Sequence, residues 1–156
     1  MLEENRKILP KNIELKSPRD TTDLAAWLAP LLKPGDVICL YGNLGSGKTF
    51  FAAALGRELG IPEFLDSPSF VLLKEYHSGP VPLYHLDLYR LKNTRELQDL
   101  GIFDILESGI TLIEWPELAV ELLPRRILNL ELHFSFDGRR RGVEIVARDR
   151  FSAYFV

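Results

Sequence analysis

Between positions 42 and 49 the chain reads GNLGSGKT, with three glycines, one lysine and one threonine hydroxyl. Glycines at Gly42, Gly45 and Gly47 let a backbone curl until successive N–H groups converge on one anion. Side chains at those positions would keep phosphate oxygens out. Gly42, Gly47, Lys48 and Thr49 satisfy the G-x-x-x-x-G-K-[ST] spacing in full. In that spacing the lysine is a point charge for terminal phosphates, and the hydroxyl serves a magnesium ion. The expected chemistry is binding of a nucleoside triphosphate with Mg²⁺.

Such a site needs an acid near the metal, usually at the end of an apolar strand. Two residues qualify. Asp87 lies in YHLDLYR, where a period of two sets His85, Asp87 and Tyr89 on one face. Glu114 directly follows the apolar run ITLI, a position at a sheet edge where ligands collect in α/β folds. Either acid can hold magnesium while the other orients the attacking water or takes its proton. Spacing does not divide these roles, and each acid has a plainer alternative as half of a surface ion pair with Arg90 or a lysine. Between the loop and Asp87, DSPSF (residues 66–70) sets a proline between two serines. It suits a segment that orders around a γ-phosphate, and equally a plain loop whose serines cap the next element. Trp115 reads as rim packing or as a shield beside Glu114. His77, His85 and His133 are dispersed and lack zinc-ligand spacing.

These residues must be positioned by the elements around them. DVICLYG (residues 36–42) is a buried strand entering the loop, and TFFAAALGRELG is a helix leaving it and ending near Gly60. That helix turns its positive end and unpaired N–H groups toward the same anion. Upstream, NIEL is a short strand. Residues 19–32 carry an apolar stripe at Leu24, Trp27, Leu28, Leu31 and Leu32, with Ser17 or Asp20 as cap and Pro30 shortening the helix. SFVLLKEYH and VPLYHLDLYRL are expected as strands around an SGP turn. Asn93 caps a helix, with Glu96 completing a capping box and Gly101 closing its first segment. GITLIEW is a further buried strand, and PELAVELL a short helix with Pro116 at its first position. Alternation at Leu130, Leu132, Phe134 and Phe136, a turn near Asp137-Gly138, then Val143 and Ile145, predicts a hairpin. The sum is an α/β, three-layer, P-loop NTPase-like domain with a mixed, partly parallel sheet and antiparallel additions.

A chain of 156 residues fits this as one domain, 1–156. A net charge of −3 argues against non-specific nucleic-acid binding as the main activity. The arginines of DGRRRG are expected on a solvated turn. The single cysteine, Cys39, lies in an apolar run and reads as a small buried hydrophobe. The first residues lack the apolar core of a signal peptide, and no apolar run approaches membrane-spanning length, so a cytoplasmic protein is expected. The aromatic tail RFSAYFV is expected to pack onto the domain.

Taken in order and at these separations, GDVICLYGNLGSGKT, SPSF, LYHLDLYRL and LIEWPE resemble the TsaE family, formerly YjeE, small ATPases of bacterial tRNA threonylcarbamoyladenosine synthesis. The resemblance runs from about the first helix through the C-terminal hairpin. The loop alone belongs to a vast superfamily, whereas HLDLYR paired with IEWPE is far more specific. The resemblance implies ATP and Mg²⁺ as ligands, slow ATP hydrolysis, and a role in modifying the adenosine next to the anticodon. It implies the TsaB–TsaD heterodimer as partner, with tRNA met at most indirectly through that complex. Residue by residue, it makes Lys48 and Glu114 the catalytic pair and Thr49, Asp87 and Glu114 the magnesium-side groups. Asn43, Leu44, Gly45, Ser46, Gly47, Lys48, Thr49, Phe50, Ser69 and Trp115 are expected around the nucleotide. Ser67 to Phe70 match a switch-like segment, in which Ser69 replaces the usual threonine. Its hydroxyl survives, while the lost methyl frees its rotamer.

Three other readings share some of these features. A small-molecule kinase needs an acceptor pocket and an arginine-bearing lid, and no lid-like insertion is visible. A GTPase commonly carries Asn-Lys-x-Asp, and no Asn-Lys dipeptide occurs. A nucleotide-gated binding module would bind without hydrolysing. No arginine finger is evident by pattern, Arg90 being a guess, so a partner could complete the site.

Overall fold

The computed structural model describes residues 6–68, 71–123 and 128–156. Strand β1 (Asn12–Leu15) leads into helix α1 (Pro18–Leu28). The Asp20 carboxylate accepts from the N–H groups of Lys16 and Ser17, closing the start of that helix. Pro30 lies in a 3₁₀ turn, Ala29–Leu31, so the α-helix stops at Leu28, Leu31 sits in a tighter coil and Leu32 is already extended. Strand β2 (Val37–Tyr41) and helix α2 (Lys48–Glu58) flank the glycine-rich loop.

Strand β3 (Leu73–Tyr76) and strand β4 (Leu83–Asp87) are both shorter than their apolar runs suggest. The chain leaves the sheet after Asp87, where the Leu88 N–H turns to the Glu114 carbonyl and the Tyr89 N–H to the Asp87 carboxylate. The expected shared face of His85, Asp87 and Tyr89 therefore holds for the first two alone. Helices α3 (Thr94–Asp99) and α4 (Ile102–Ser108) are separated by Gly101. Asn93 caps α3 by accepting from the Glu96 N–H, while Glu96 reaches back to the N–H of Lys92 rather than that of Asn93. Strand β5 (Ile110–Glu114) precedes α5 (Glu117–Leu122). Pro116 sits one place earlier than expected, at the N-cap, where its carbonyl takes the first helical bond from Val120. Strands β6 (Leu130–Phe136) and β7 (Arg141–Ala147) form the expected hairpin.

All seven strands among the described residues join one sheet in the order β1-β7-β6-β2-β5-β4-β3. The pairs β6·β2, β2·β5 and β5·β4 are parallel, and the edges β1·β7·β6 and β4·β3 are antiparallel. The buried parallel strands carry a continuous apolar run, which splits between two faces. Ile38 and Leu40 of β2 pack with Leu24 and Leu28 of α1 and with Phe51 and Leu55 of α2. Val37 and Cys39 face the other way, toward Leu97 of α3, Leu106 of α4 and Ala119 of α5. This is the three-layer arrangement. Cys39 is fully buried, and that burial, reinforced by Glu131, pushes its thiol far above the usual range.

The tail folds back as a 3₁₀ segment, Asp149–Tyr154, with Phe151 fully buried. Phe155 meets the edge of Trp27 at 5.3 Å. Arg150 donates to the Leu31 carbonyl at 2.9 Å and to the carboxylate of Asp36, which also accepts from Lys33 N–H and the Asn129 amide. The tail thus fastens the start of β2. Among the described residues no helix is long and apolar enough to cross a membrane.

Candidate active site

The carboxyl ends of β2, β5 and β4 lie side by side, and the loop, Glu114 and Asp87 emerge there in that order. Glu114 pairs in register with Leu40 on one side and with Asp87 on the other. That neighbouring strand ends should form a ligand crevice is expected for open parallel sheets.

Gly42 leaves β2 at φ +142°, a value rarely open to other residues. A Cβ there would sit 2.8 Å from the Phe134 carbonyl and 2.5 Å from Ser46 Oγ, so the loop presses directly on β6. Gly47, at φ +113°, caps α2 in a left-handed conformation. The first turn of α2 therefore points its free N–H groups into the loop. Phe51 anchors that helix, fully buried and 5.5 Å from the ring of Phe134. Burying such a ring is worth about 1.5–3 kcal/mol.

Lys48 is buried beneath the loop. Its ammonium donates to the carbonyls of Gly42 and Asn43 and lies 4.1 Å from the ring centre of Trp115. Burial pulls its pKa below the usual lysine range, and the charges of Glu114, Asp87 and Glu117 pull it back up. Trp115 takes φ +54°, which carries its ring from the end of β5 over the lysine and against Tyr89 at 4.8 Å. A positive φ at a bulky residue is strain stored at the site.

Asp87 and Glu114 are 3% and 1% exposed, so neither is a surface charge. Asp87 accepts from the Ser67 hydroxyl at 2.8 Å and from Tyr89 N–H at 3.0 Å. Glu114 accepts from the Thr49 hydroxyl at 3.3 Å, while its other oxygen lies 2.7 Å from His85 Nε2. Thr49, Asp87 and Glu114 are hard oxygen donors, the set that suits magnesium. The donor set and the converging loop amides fit a Mg²⁺–triphosphate.

A cleft of about 540 Å³ joins these groups. Asn43, Leu44, Gly45, Ser46, Gly47, Lys48, Thr49, Phe50, Ser67, Asp87, Glu114 and Trp115 all line it. Ser69, from which a phosphate or metal contact is expected, lies outside the described residues. Leu15 to Pro18 and Thr21 line it as well.

Two contributors escape a reading of motifs. Arg141, expected on a solvated turn, donates to the Gly45 carbonyl at 2.6 Å and lies 4.0 Å from the Phe136 ring centre. Arg141 rather than Arg90 lines the cleft. Its placement follows from β6 lying beside β2, a non-local pairing that brings the expected hairpin next to the loop. His85, dismissed as a metal ligand, is instead the buried partner of Glu114. The signal present was its period-two match with Asp87.

The family model of threonylcarbamoyl adenosine biosynthesis protein TsaE matches residues 15–142. The tRNA threonylcarbamoyladenosine biosynthesis protein TsaE of Bacillus subtilis is 39% identical over 125 residues, covering 80% of this chain and 78% of that protein. The like-named protein of Treponema pallidum is 37% identical over 126 residues, covering 80% of this chain and 93% of its own length. The crystal structure of Bacillus subtilis YdiB superposes with a TM-score of 0.72 at 31% identity, over 92% of this chain and 89% of that one. From the Gly42–Thr49 loop to the paired acids of β4 and β5, the matched span contains the crevice just described, and the chain belongs to the TsaE family.

Proposed function

We propose that this chain is a Mg²⁺-dependent ATP hydrolase serving tRNA threonylcarbamoyladenosine biosynthesis, the role named for its relatives. The observation that carries the reading is the convergence of the Gly47-capped helix and Lys48-Thr49 on two buried carboxylates in register, Asp87 and Glu114. When bound, magnesium would neutralise charge building on the transferred phosphoryl group.

The residues divide the work. Loop amides from Gly45 to Thr49 bind phosphate oxygens, and Lys48 exchanges its loop carbonyls and the Trp115 face for the terminal phosphates. The Thr49 hydroxyl hydrogen-bonds to Glu114, and the lone pairs of its oxygen would hold the metal. Asp87, held by Ser67 and Tyr89 N–H, would hold the metal too and would link it to the switch-like segment. Glu114 orients the attacking water and accepts its proton. Trp115 covers Lys48 and limits water.

TsaB–TsaD is the proposed partner, completing the site and raising a slow basal rate, with tRNA reached at most through that complex. The test is phosphate release from ATP by the chain alone, with TsaB–TsaD, and with tRNA added. Slow release that rises with TsaB–TsaD supports the reading. Identical rates with and without the heterodimer refute the partner's contribution. Transfer to an acceptor instead of water indicates a kinase, and preference for GTP over ATP refutes the adenine assignment.

A further inference from the structure

We infer that His85 is a positioning residue for Glu114, gripping its carboxylate through the ring nitrogen Nε2; this rests on the hydrolase reading above. The ring is fully buried, with Nε2 2.7 Å from Glu114 Oε2. Nδ1 is buried too, and among the described residues it meets no hydrogen-bond partner.

Nε2 meets Oε2 while Thr49 Oγ1 donates to Oε1. Both oxygens of Glu114 are occupied, and the carboxylate cannot rotate without giving up one of these bonds.

His85 itself does not line the cleft, whereas Glu114 and Thr49 do. It acts through Glu114, from beneath. The chain of contacts runs from the interior of β4, through the end of β5, to the first turn of α2. An apolar residue of similar size would fill the same space but would leave Oε2 free to swing. Loss of such supporting partners typically costs about 10–100-fold in activity.

The experiment uses the whole chain. In steady-state ATP turnover His85→Leu should lower kcat about 10–100-fold, with KM and affinity for a fluorescent ADP analogue unchanged. His85→Gln, whose amide reaches the place of Nε2, should retain most of kcat, while His85→Asn, whose amide stops short, should behave like His85→Leu. Equal kcat in all three, or losses seen in KM and ADP affinity instead, overturns the role. The contrast of His85→Gln with His85→Asn stands even if His85→Leu fails to fold. If the unaltered chain hydrolyses nothing even with TsaB–TsaD, the hydrolase reading falls and this role with it. If it hydrolyses and His85→Leu keeps pace, the role alone falls.

Discussion

Gly42→Ala probes whether the loop truly rests on β6. The added methyl would lie 2.8 Å from the Phe134 carbonyl and 2.5 Å from Ser46 Oγ. The serine hydroxyl can swing aside, but the carbonyl belongs to a strand paired on both sides and cannot. Holding alanine at φ +142° costs about 1–3 kcal/mol in backbone strain. Forcing the methyl into packed surroundings adds about 1–3 kcal/mol. Gly45→Ala is the control, because at φ +80° its methyl would meet nothing within 4 Å. It should cost the left-handed penalty alone, about 1–2 kcal/mol. For a chain of this size each kcal/mol shifts Tm by about 2–4 °C. Thermal and urea unfolding followed by circular dichroism should therefore rank native above Gly45→Ala and Gly45→Ala above Gly42→Ala. If the two variants melt together, the steric contact with β6 is wrong. If Gly42→Ala melts with the native chain, the strained loop conformation is wrong as well.

Glu114→Gln should leave ADP affinity near native in a fluorescence titration, while phosphate release from ATP falls by about 10²–10⁴-fold; undiminished release would remove Glu114 from the chemistry. Arg150→Ala strips the buried Asp36 carboxylate of its cation, and because the arginine is partly solvent-exposed the loss in urea titration should be about 1–2 kcal/mol, below the range for a fully buried pair; Asp36→Asn in the same background should recover part of it. At the β6–β7 turn, the N–H groups of Arg140 and Arg139 hold the Asp137 carboxyl below its usual range. A folded pKa below the unfolded one stabilises at neutral pH and loses that effect as pH falls through the folded value. The Tm gap between native and Asp137→Ala should then close on acidification below about pH 4, and a gap constant to pH 2 would refute the charge-based account.

The loop was legible because its signal is local. Gly42, Gly47, Lys48 and Thr49 are consecutive or nearly so, and the runs on either side declare a strand and a helix without help from the rest of the chain. Asp87 and Glu114 could be nominated individually, each at the end of an apolar run. That they are adjacent depends on β4 and β5 pairing in one register, a non-local fact. His85 was missed for the same reason: its partner sits on another strand, 29 residues away. Arg141 was misjudged because a turn composition describes its chain neighbours and not the loop across from it. Strand ends were overestimated where apolar residues continue past Asp87, since Leu88 is buried in the cluster that holds Leu97 of α3 and Ala119 of α5 while standing outside β4. Trp115's backbone strain left no trace in composition at all.

The pairing of β4 with β5 also gives turnover a second use. Shifting those two strands by a single residue would send His85 and Asp87 to the opposite layer while Glu114 stayed, yet the helix content and much of the oily interior would survive. Spectra would score such a molecule as folded. On the proposed hydrolase reading phosphate release would not, and it would then serve as a sensor of strand alignment for any refolded or redesigned version of this chain.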